Sequence, residues 1–336
     1  MDFFDNQSKL FGTAFLLFAV LTTFVAILPA ISNEKNNAPL PSSVALTDEA
    51  IRGKAIYVSN GCVACHTQQV RNVDMDKVWG ARPGIAADYA RNTRTDLWRN
   101  TATLMGTERT GPDLTSVGDR QPSKEWNLVH LYNPRIVVAE SIMPAYPWLF
   151  QYKKEATEQD VVVHVPDKYQ PESGVLVASQ EALDLVAYLQ SLRQTELSSG
   201  RNIPEFLYPK SESASDNVMG APVQKDAGLD GSQLYVTYCQ ACHQANGEGL
   251  KGAFPPLKGS KVVLDPNSEL MLNIIVKGYD GRPEYGAMPA VGAISKLTAA
   301  ELAAIMNHEK SSWGNDAPKV SEAEITEMMK AIEILE

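Results

Sequence analysis

Positive charge is in short supply in this sequence: 30 Lys and Arg stand against 40 Asp and Glu, a formal charge of −10. That deficit argues against any general affinity for nucleic acid, which needs clustered basic side chains to neutralise phosphate. The acidity instead concerns solubility or docking to a basic partner. Also missing are a nucleotide-binding loop, an activated nucleophile and a matched proton-transfer pair, so no catalytic centre of the chain's own stands out. Cysteine is scarce, with four in 336 residues. Apolar residues are not: at 44% they suffice for two cores, and the length suits two domains of ordinary size.

The four cysteines fall into two strings, Cys62-Val63-Ala64-Cys65-His66 and Cys239-Gln240-Ala241-Cys242-His243. A Cys-x-x-Cys pair alone is shared by redox disulfides and half zinc sites, but an immediately following His makes the haem c attachment signature. Two thiols at that spacing reach the two vinyl groups of one porphyrin, and the adjacent imidazole lies under the iron. Two covalently bound haem c groups are therefore expected, held by Cys62, Cys65, Cys239 and Cys242, with His66 and His243 on the two irons. Zinc held by the four cysteines is the main alternative.

From Leu10 to Ile31 the chain runs without a charge. At 1.5 Å per residue such a run crosses a bilayer core of about 30 Å. It is longer than the apolar region of a typical signal peptide, so an uncleaved single-pass anchor is preferred to a cleaved leader. Lys9, Glu34 and Lys35 give almost no charge bias for orientation. Haem c chemistry gives it instead: covalent attachment occurs outside the cytoplasm, which puts the haem domains on the periplasmic side of a bacterial inner membrane.

The expected fold is mainly α, one N-terminal transmembrane helix followed by two cytochrome c-type helical domains. Residues 1–31 form the anchor and the polar, proline-containing residues 32–46 a tether. The first cytochrome domain occupies 47–193. Its opening helix is capped by Thr47, and its closing helix carries Leu, Val and Tyr at helical spacing over Glu181–Leu192. A Ser-, Pro- and Gly-rich linker follows at 194–228, then a second domain at 229–336. There Asp230 is a candidate cap, and Glu322–Leu335 forms a closing amphipathic helix with a solvated acidic face.

Methionine opposite histidine gives a high-potential haem that carries electrons without binding substrate. Met288, in Tyr-Gly-Ala-Met-Pro-Ala, is preferred over Met271 and Met306, which lie in apolar helical runs suited to core packing. Met143, in Ser-Ile-Met-Pro-Ala-Tyr-Pro, is preferred over Met75 and Met105 because a following proline fixes the backbone without helical hydrogen bonds. Pro112 and Pro256 are the expected carbonyl donors to the two haem-motif imidazoles, an ordinary turn being the alternative. Arg135 is a candidate partner for a haem propionate. His130 reads equally as a haem or subunit contact and as a buried structural histidine, while His164 and His308 read as surface residues.

The ordered strings Cys62-x-x-Cys65-His66-Thr-Gln, Arg109-Thr-Gly-Pro-Asp-Leu114, His130-Leu-Tyr-Asn-Pro-Arg135 and Ser141-Ile-Met-Pro-Ala-Tyr-Pro-Trp-Leu149, preceded by the apolar run, resemble the monohaem subunit II of cbb3-type cytochrome c oxidases. The resemblance extends to about Leu192. The spacer over 69–105 and a polar or β-like excursion over Tyr152–Val177 depart from the family pattern. The larger departure is the second domain, which resembles a class I cytochrome c. The resemblance implies a respiratory electron-transport subunit docked on a polytopic haem-copper catalytic subunit, with Cys62, Cys65, His66 and Met143 passing electrons on to it. A soluble or membrane-bound cytochrome c, or a quinol:cytochrome c reductase, would feed the second domain, which stands in for a separate dihaem subunit. A nitric oxide reductase subunit shares the scaffold and remains an alternative. A dihaem peroxidase is the alternative of another class, and two Met ligands argue against it.

Overall fold

The computed structural model describes residues 6–36, 44–90, 104–171, 173–196 and 229–334. Residues 37–43 of the expected tether, 197–228 of the expected linker, and Leu335 lie outside the described residues.

Asn6 opens the first helix, its side chain accepting the Lys9 amide at 3.1 Å. This helix, α1, runs Gln7–Asn36 and is the one described helix long and apolar enough to cross a membrane. It continues past the apolar run to Asn36, whose side chain donates to the Ser32 hydroxyl one turn earlier at 3.5 Å. Its turns widen to π geometry over Thr22–Ile27, with the Leu28 amide reaching back to the Thr23 carbonyl. Pro29 explains the widening, since it supplies no N–H to the carbonyl one turn earlier.

In the first cytochrome domain Thr47 caps α2 (Asp48–Ser59) by accepting the Ala50 amide at 3.2 Å. Its buried residues, Ala50, Gly53 and Tyr57, recur at three and four and so form a single face. That face crosses the closing helix, numbered after α3 (Lys124–Tyr132) as α4 (Gln180–Ser191). The crossing is backbone against backbone: a Cβ on Gly53 would stand 1.9 Å from the Asp184 carbonyl oxygen. Beside it Arg52 forks onto the buried Asp184 carboxylate at 2.6 and 2.9 Å, and Tyr57 meets Tyr188 edge-on at 5.5 Å. The expected β-like excursion is a two-stranded antiparallel hairpin, β1 (Phe150–Lys153) and β2 (Val175–Ala178), in register from Phe150 opposite Ala178 to Lys153 opposite Val175.

The second domain repeats the plan. Asp230 caps α5 (Gly231–Tyr238) through the Ser232 amide at 2.9 Å. Then come α6 (Glu269–Lys277), α7 (Ala299–Ser311), which Thr298 and Glu301 begin with a reciprocal capping box, and α8 (Glu322–Ile334). Leu234, Leu272, Leu302, Ile305, Met306 and Ile325 fill the space between them. The opening and penultimate helices again touch through glycine, with a Cβ on Gly231 falling 2.1 Å from the Ala304 carbonyl oxygen.

Gly53→Ala and Gly231→Ala should each destabilise the domain concerned. Overpacking costs about 1–3 kcal/mol, more than the roughly 1 kcal/mol gained in helix propensity. Guanidinium unfolding followed at the two haem motifs separately checks this, the expected result being a lower midpoint confined to the altered domain.

Candidate haem sites

At the first site, α2 ends on Asn60, and Gly61, at φ 71°, turns the chain into a tight turn over Cys62–Ala64. The His66 amide returns to the Cys62 carbonyl at 3.0 Å, so both cysteines and the histidine lie on one short loop. His66 Nδ1 stands 2.7 Å from the Pro112 carbonyl oxygen, to which it donates in the neutral tautomer, leaving the Nε2 lone pair free. Burial lowers the His66 pKa, which favours the neutral ring.

The Pro112 carbonyl is held from both sides. Gly111 donates its amide to the Cys65 carbonyl at 2.9 Å, and a Cβ there would lie 2.4 Å from His66 Cε1. Asp113, fully buried, accepts the Thr67 hydroxyl at 2.5 Å and the Gln69 and Thr115 amides at 2.8 Å each. Arg109 bridges Thr67 to the equally buried Asp76, which Arg71 also pairs at 3.1 Å. Burial would raise the Asp76 pKa, but hydrogen bonds from Arg71 and Arg109 outweigh it, and the net shift is downward.

Met143 is half-buried, its amide 3.3 Å from Ser141 Oγ and its chain fixed by Pro144. Met75 is 67% exposed, its sulfur accepting from Arg71, and Met105 is 39% exposed. Arg135 is exposed, in a short turn over Pro134–Ile136.

At the second site the His243 amide again returns to the first cysteine's carbonyl, at 3.0 Å. His243 Nδ1 donates to a proline carbonyl at 2.9 Å, but the proline is Pro255 rather than the expected Pro256. The Gly249 amide binds the His243 carbonyl, and Gly249, at φ +61°, packs against the Phe254 and Pro255 carbonyls; this turn brings Pro255 to the ring. Pro256 lines the cavity beside it, with Cys239, Cys242, His243 and Met288. Met288 is set by a β-bridge to Tyr279, with amide-to-carbonyl distances of 2.8 and 2.9 Å in the two directions. Met271 and Met306 are 3% and 0% exposed and belong to the core, although Met271 also lines the cavity that Met288 lines.

The remaining histidines are more enclosed than expected. His164 and His308, read as surface residues, are both half-buried. His164 Nε2 donates to the Pro283 carbonyl at 3.1 Å, and His308 packs between Tyr235 and Trp313. His130 stacks on Trp126 with centroids 4.5 Å apart.

Two groups at the second site were not singled out from sequence. Glu309 is 4% exposed beside the Cys239 thiol, and burial pushes its carboxyl up to about 8, so it is protonated at neutral pH. It falls in step with Leu302, Ile305 and Met306 on the inward face of α7, a period that marks it as buried. Gln121, Pro122 and Ser123 also line the second cavity, although they belong to the first domain, and no local pattern signals that.

Each site thus offers two thiols and one imidazole with a free Nε2, and the second adds Met288, in a Met-Pro loop that lines the same cavity. This donor set fits haem c. It does not fit zinc, because among the described residues no three His, Cys, Asp or Glu side chains gather in a way that would hold a metal ion. Such sites on helical domains of this plan define a protein with two cytochrome c domains. Residues 2–170 match the cytochrome c oxidase mono-haem subunit family, FixO, and residues 226–308 match cbb3-type cytochrome c oxidase subunit III. The chain belongs to the FixO family.

Among curated relatives, cytochrome c-552 of Thermus thermophilus is 37% identical over 97 residues, 27% of this chain and 72% of its own length. The cytochrome c subunit of the quinone alcohol dehydrogenase of Gluconacetobacter polyoxogenes is 32% identical over 151 residues, 43% of this chain. The chain spans only 30% of that relative's length.

Gly111→Ala should displace the His66 ring from beneath the iron position. The expected change is a fall in haem content from about two per chain towards one, read by the pyridine haemochrome, with the second site unaffected.

Asp76→Asn should cost about 1–3 kcal/mol at neutral pH by removing a buried carboxylate that accepts from both Arg71 and Arg109. The folded-state pKa of Asp76 is depressed, so its contribution is present above the ordinary carboxylate range and lost as pH falls through the lower folded value. Urea midpoints measured against pH should therefore show a flatter acid limb in the variant than in the native chain.

Proposed function

We propose that this chain is the membrane-anchored electron-transfer subunit of a cbb3-type haem-copper oxidase, with an attached second cytochrome domain that receives electrons first. The observation that carries the reading is the presence, on one chain, of a match to the mono-haem subunit and a match to subunit III. An apolar helix before the first domain supports anchoring in a bacterial inner membrane, with both haem domains on the periplasmic side.

The domains are assigned as 47–193 and 229–336, joined by 194–228. Cys62 and Cys65, and Cys239 and Cys242, hold one haem c each as thioethers. His66 and Met143 would hold the iron of the first, and His243 and Met288 that of the second. Each haem, when bound, supplies a one-electron carrier. The chain's own part is to fix the imidazoles through Pro112 and Pro255 and to hold the methionine thioethers in proline-stiffened loops. Electrons come from a cytochrome c or a quinol:cytochrome c reductase to the C-terminal domain. They pass to the N-terminal domain and then to a polytopic catalytic subunit that reduces oxygen.

Isolation of the full chain from native membranes tests this. A haem-copper catalytic subunit should accompany it, and the complex should consume oxygen with reduced cytochrome c. Consumption of nitric oxide instead would transfer the subunit to a nitric oxide reductase. Met143→Ala and Met288→Ala should each lower the reduction potential of one site and leave it open to added ligands such as imidazole. Unchanged potentials and spectra would remove the methionines from the assignment.

A further inference from the structure

One contact between the two cytochrome domains lies at the start of α3. Ser123, its N-cap, is 2% exposed and lines the cavity of the second haem site together with Gln121 and Pro122. Glu125 packs against Gly286 so closely that a Cβ there would stand 2.7 Å from Glu125 Cγ. Gly286 is two residues before Met288, so this end of α3 lies against the methionine loop. Trp126, the next residue, donates its indole N–H to the Ala241 carbonyl at 3.1 Å. Ala241 lies between the two cysteines of the second haem motif.

The same helix leads to the first site. The Trp126 ring stacks on the His130 imidazole, four residues on, with centroids 4.5 Å apart and planes inclined by 11°. His130 Nδ1 is buried without a hydrogen-bond partner. Burial, and after it the nearby His66 imidazole, pushes His130 down to about 4, so the ring is neutral at physiological pH. From Ser123 to His130 the helix axis advances only about 10 Å at 1.5 Å per residue. An aromatic pair therefore extends from the backbone of the second haem motif into the first domain, where the charge of His66 acts on the His130 ring. The domains also meet where half-buried His164 donates to the Pro283 carbonyl at 3.1 Å and at exposed ion pairs, Lys251 with Asp167 at 3.0 Å and Lys296 with Glu196 at 2.5 Å, none of which involves a haem motif.

We propose that the Trp126–His130 stack is the bridge through which an electron passes from the C-terminal haem site to the N-terminal one, taken up at the Ala241 carbonyl and delivered beside His66. The proposal rests on the relay described above and adds its route. One electron leaves the C-terminal site, which is oxidised by that one electron, and reduces the N-terminal site. No bond forms or breaks, no proton moves, and neither ring is itself oxidised. The rings replace what would otherwise be saturated side chain or water, through which electronic coupling falls off more steeply with distance.

The test uses the full chain with both haems in detergent. A light pulse reduces the C-terminal site through an external photodonor, and absorbance follows re-equilibration between the two sites. Reduction potentials of both sites and hydrogen exchange across 121–126 and 285–288 are measured on the same samples. Trp126→Ala and His130→Leu should each slow re-equilibration several-fold, with potentials and exchange protection unchanged, and Trp126→Phe should lie between them and the native rate. Lys251→Ala, which removes an exposed cross-domain ion pair, should leave the rate as it was.

An unaltered rate in Trp126→Ala overturns the bridge. So does a slowed rate accompanied in every variant by lost exchange protection at 285–288, which would make Trp126 a packing contact only. If the native chain shows no transfer between its two sites at all, the relay itself fails and the bridge with it, a result distinct from the other two.

Discussion

Each haem site is organised by a single hydrogen bond, from a histidine Nδ1–H to a proline carbonyl. That bond selects the tautomer whose other nitrogen can bind iron, and it fixes the ring in rotation. Much of the surrounding structure serves to keep the carbonyl in place. At the first site the work falls to Gly111 and to a buried network of Asp113, Thr67, Arg109 and Asp76. At the second it falls to a compact turn in which Gly249 occupies a left-handed conformation against two carbonyls. One constraint is thus met by buried charge in one domain and by backbone geometry in the other.

A second shared device is the glycine crossing. In both domains the helix that leads into the haem motif lies against a later helix at backbone contact, through Gly53 on Asp184 and Gly231 on Ala304. Close approach couples the position of the motif to the far end of its domain without any intervening side chain. Interiors pack at crystal-like density, so such a contact transmits displacement rather than absorbing it.

What was legible in the sequence was local. Thr47 and Asp230 read as caps because a cap depends on its own next few residues, and the two haem motifs read as such because five consecutive residues carry the chemistry. The Met288 loop was separable from the helical methionines because Pro289 breaks the pattern. Reading stopped where the answer depended on the path of the chain. Pro255 and Pro256 are indistinguishable as letters, and only the Gly249 turn decides which carbonyl faces His243. His164 and His308 read as surface positions because Pro283 and Tyr235, which cover them, come from elsewhere in the chain, Trp313 alone being near in sequence to His308. The Trp126–Ala241 contact joins residues 115 positions apart, beyond any periodicity.

The thiols of the two haem motifs have one more property of note. Burial pushes Cys62 up to about 11 and Cys242 up to about 12, and drives Cys239 well above its ordinary value. Oxidation of a cysteine proceeds through the thiolate, which these surroundings suppress. The first motif leaves its second sulfur, Cys65, exposed, whereas both sulfurs of the second are suppressed as thiolates until they are consumed as thioethers.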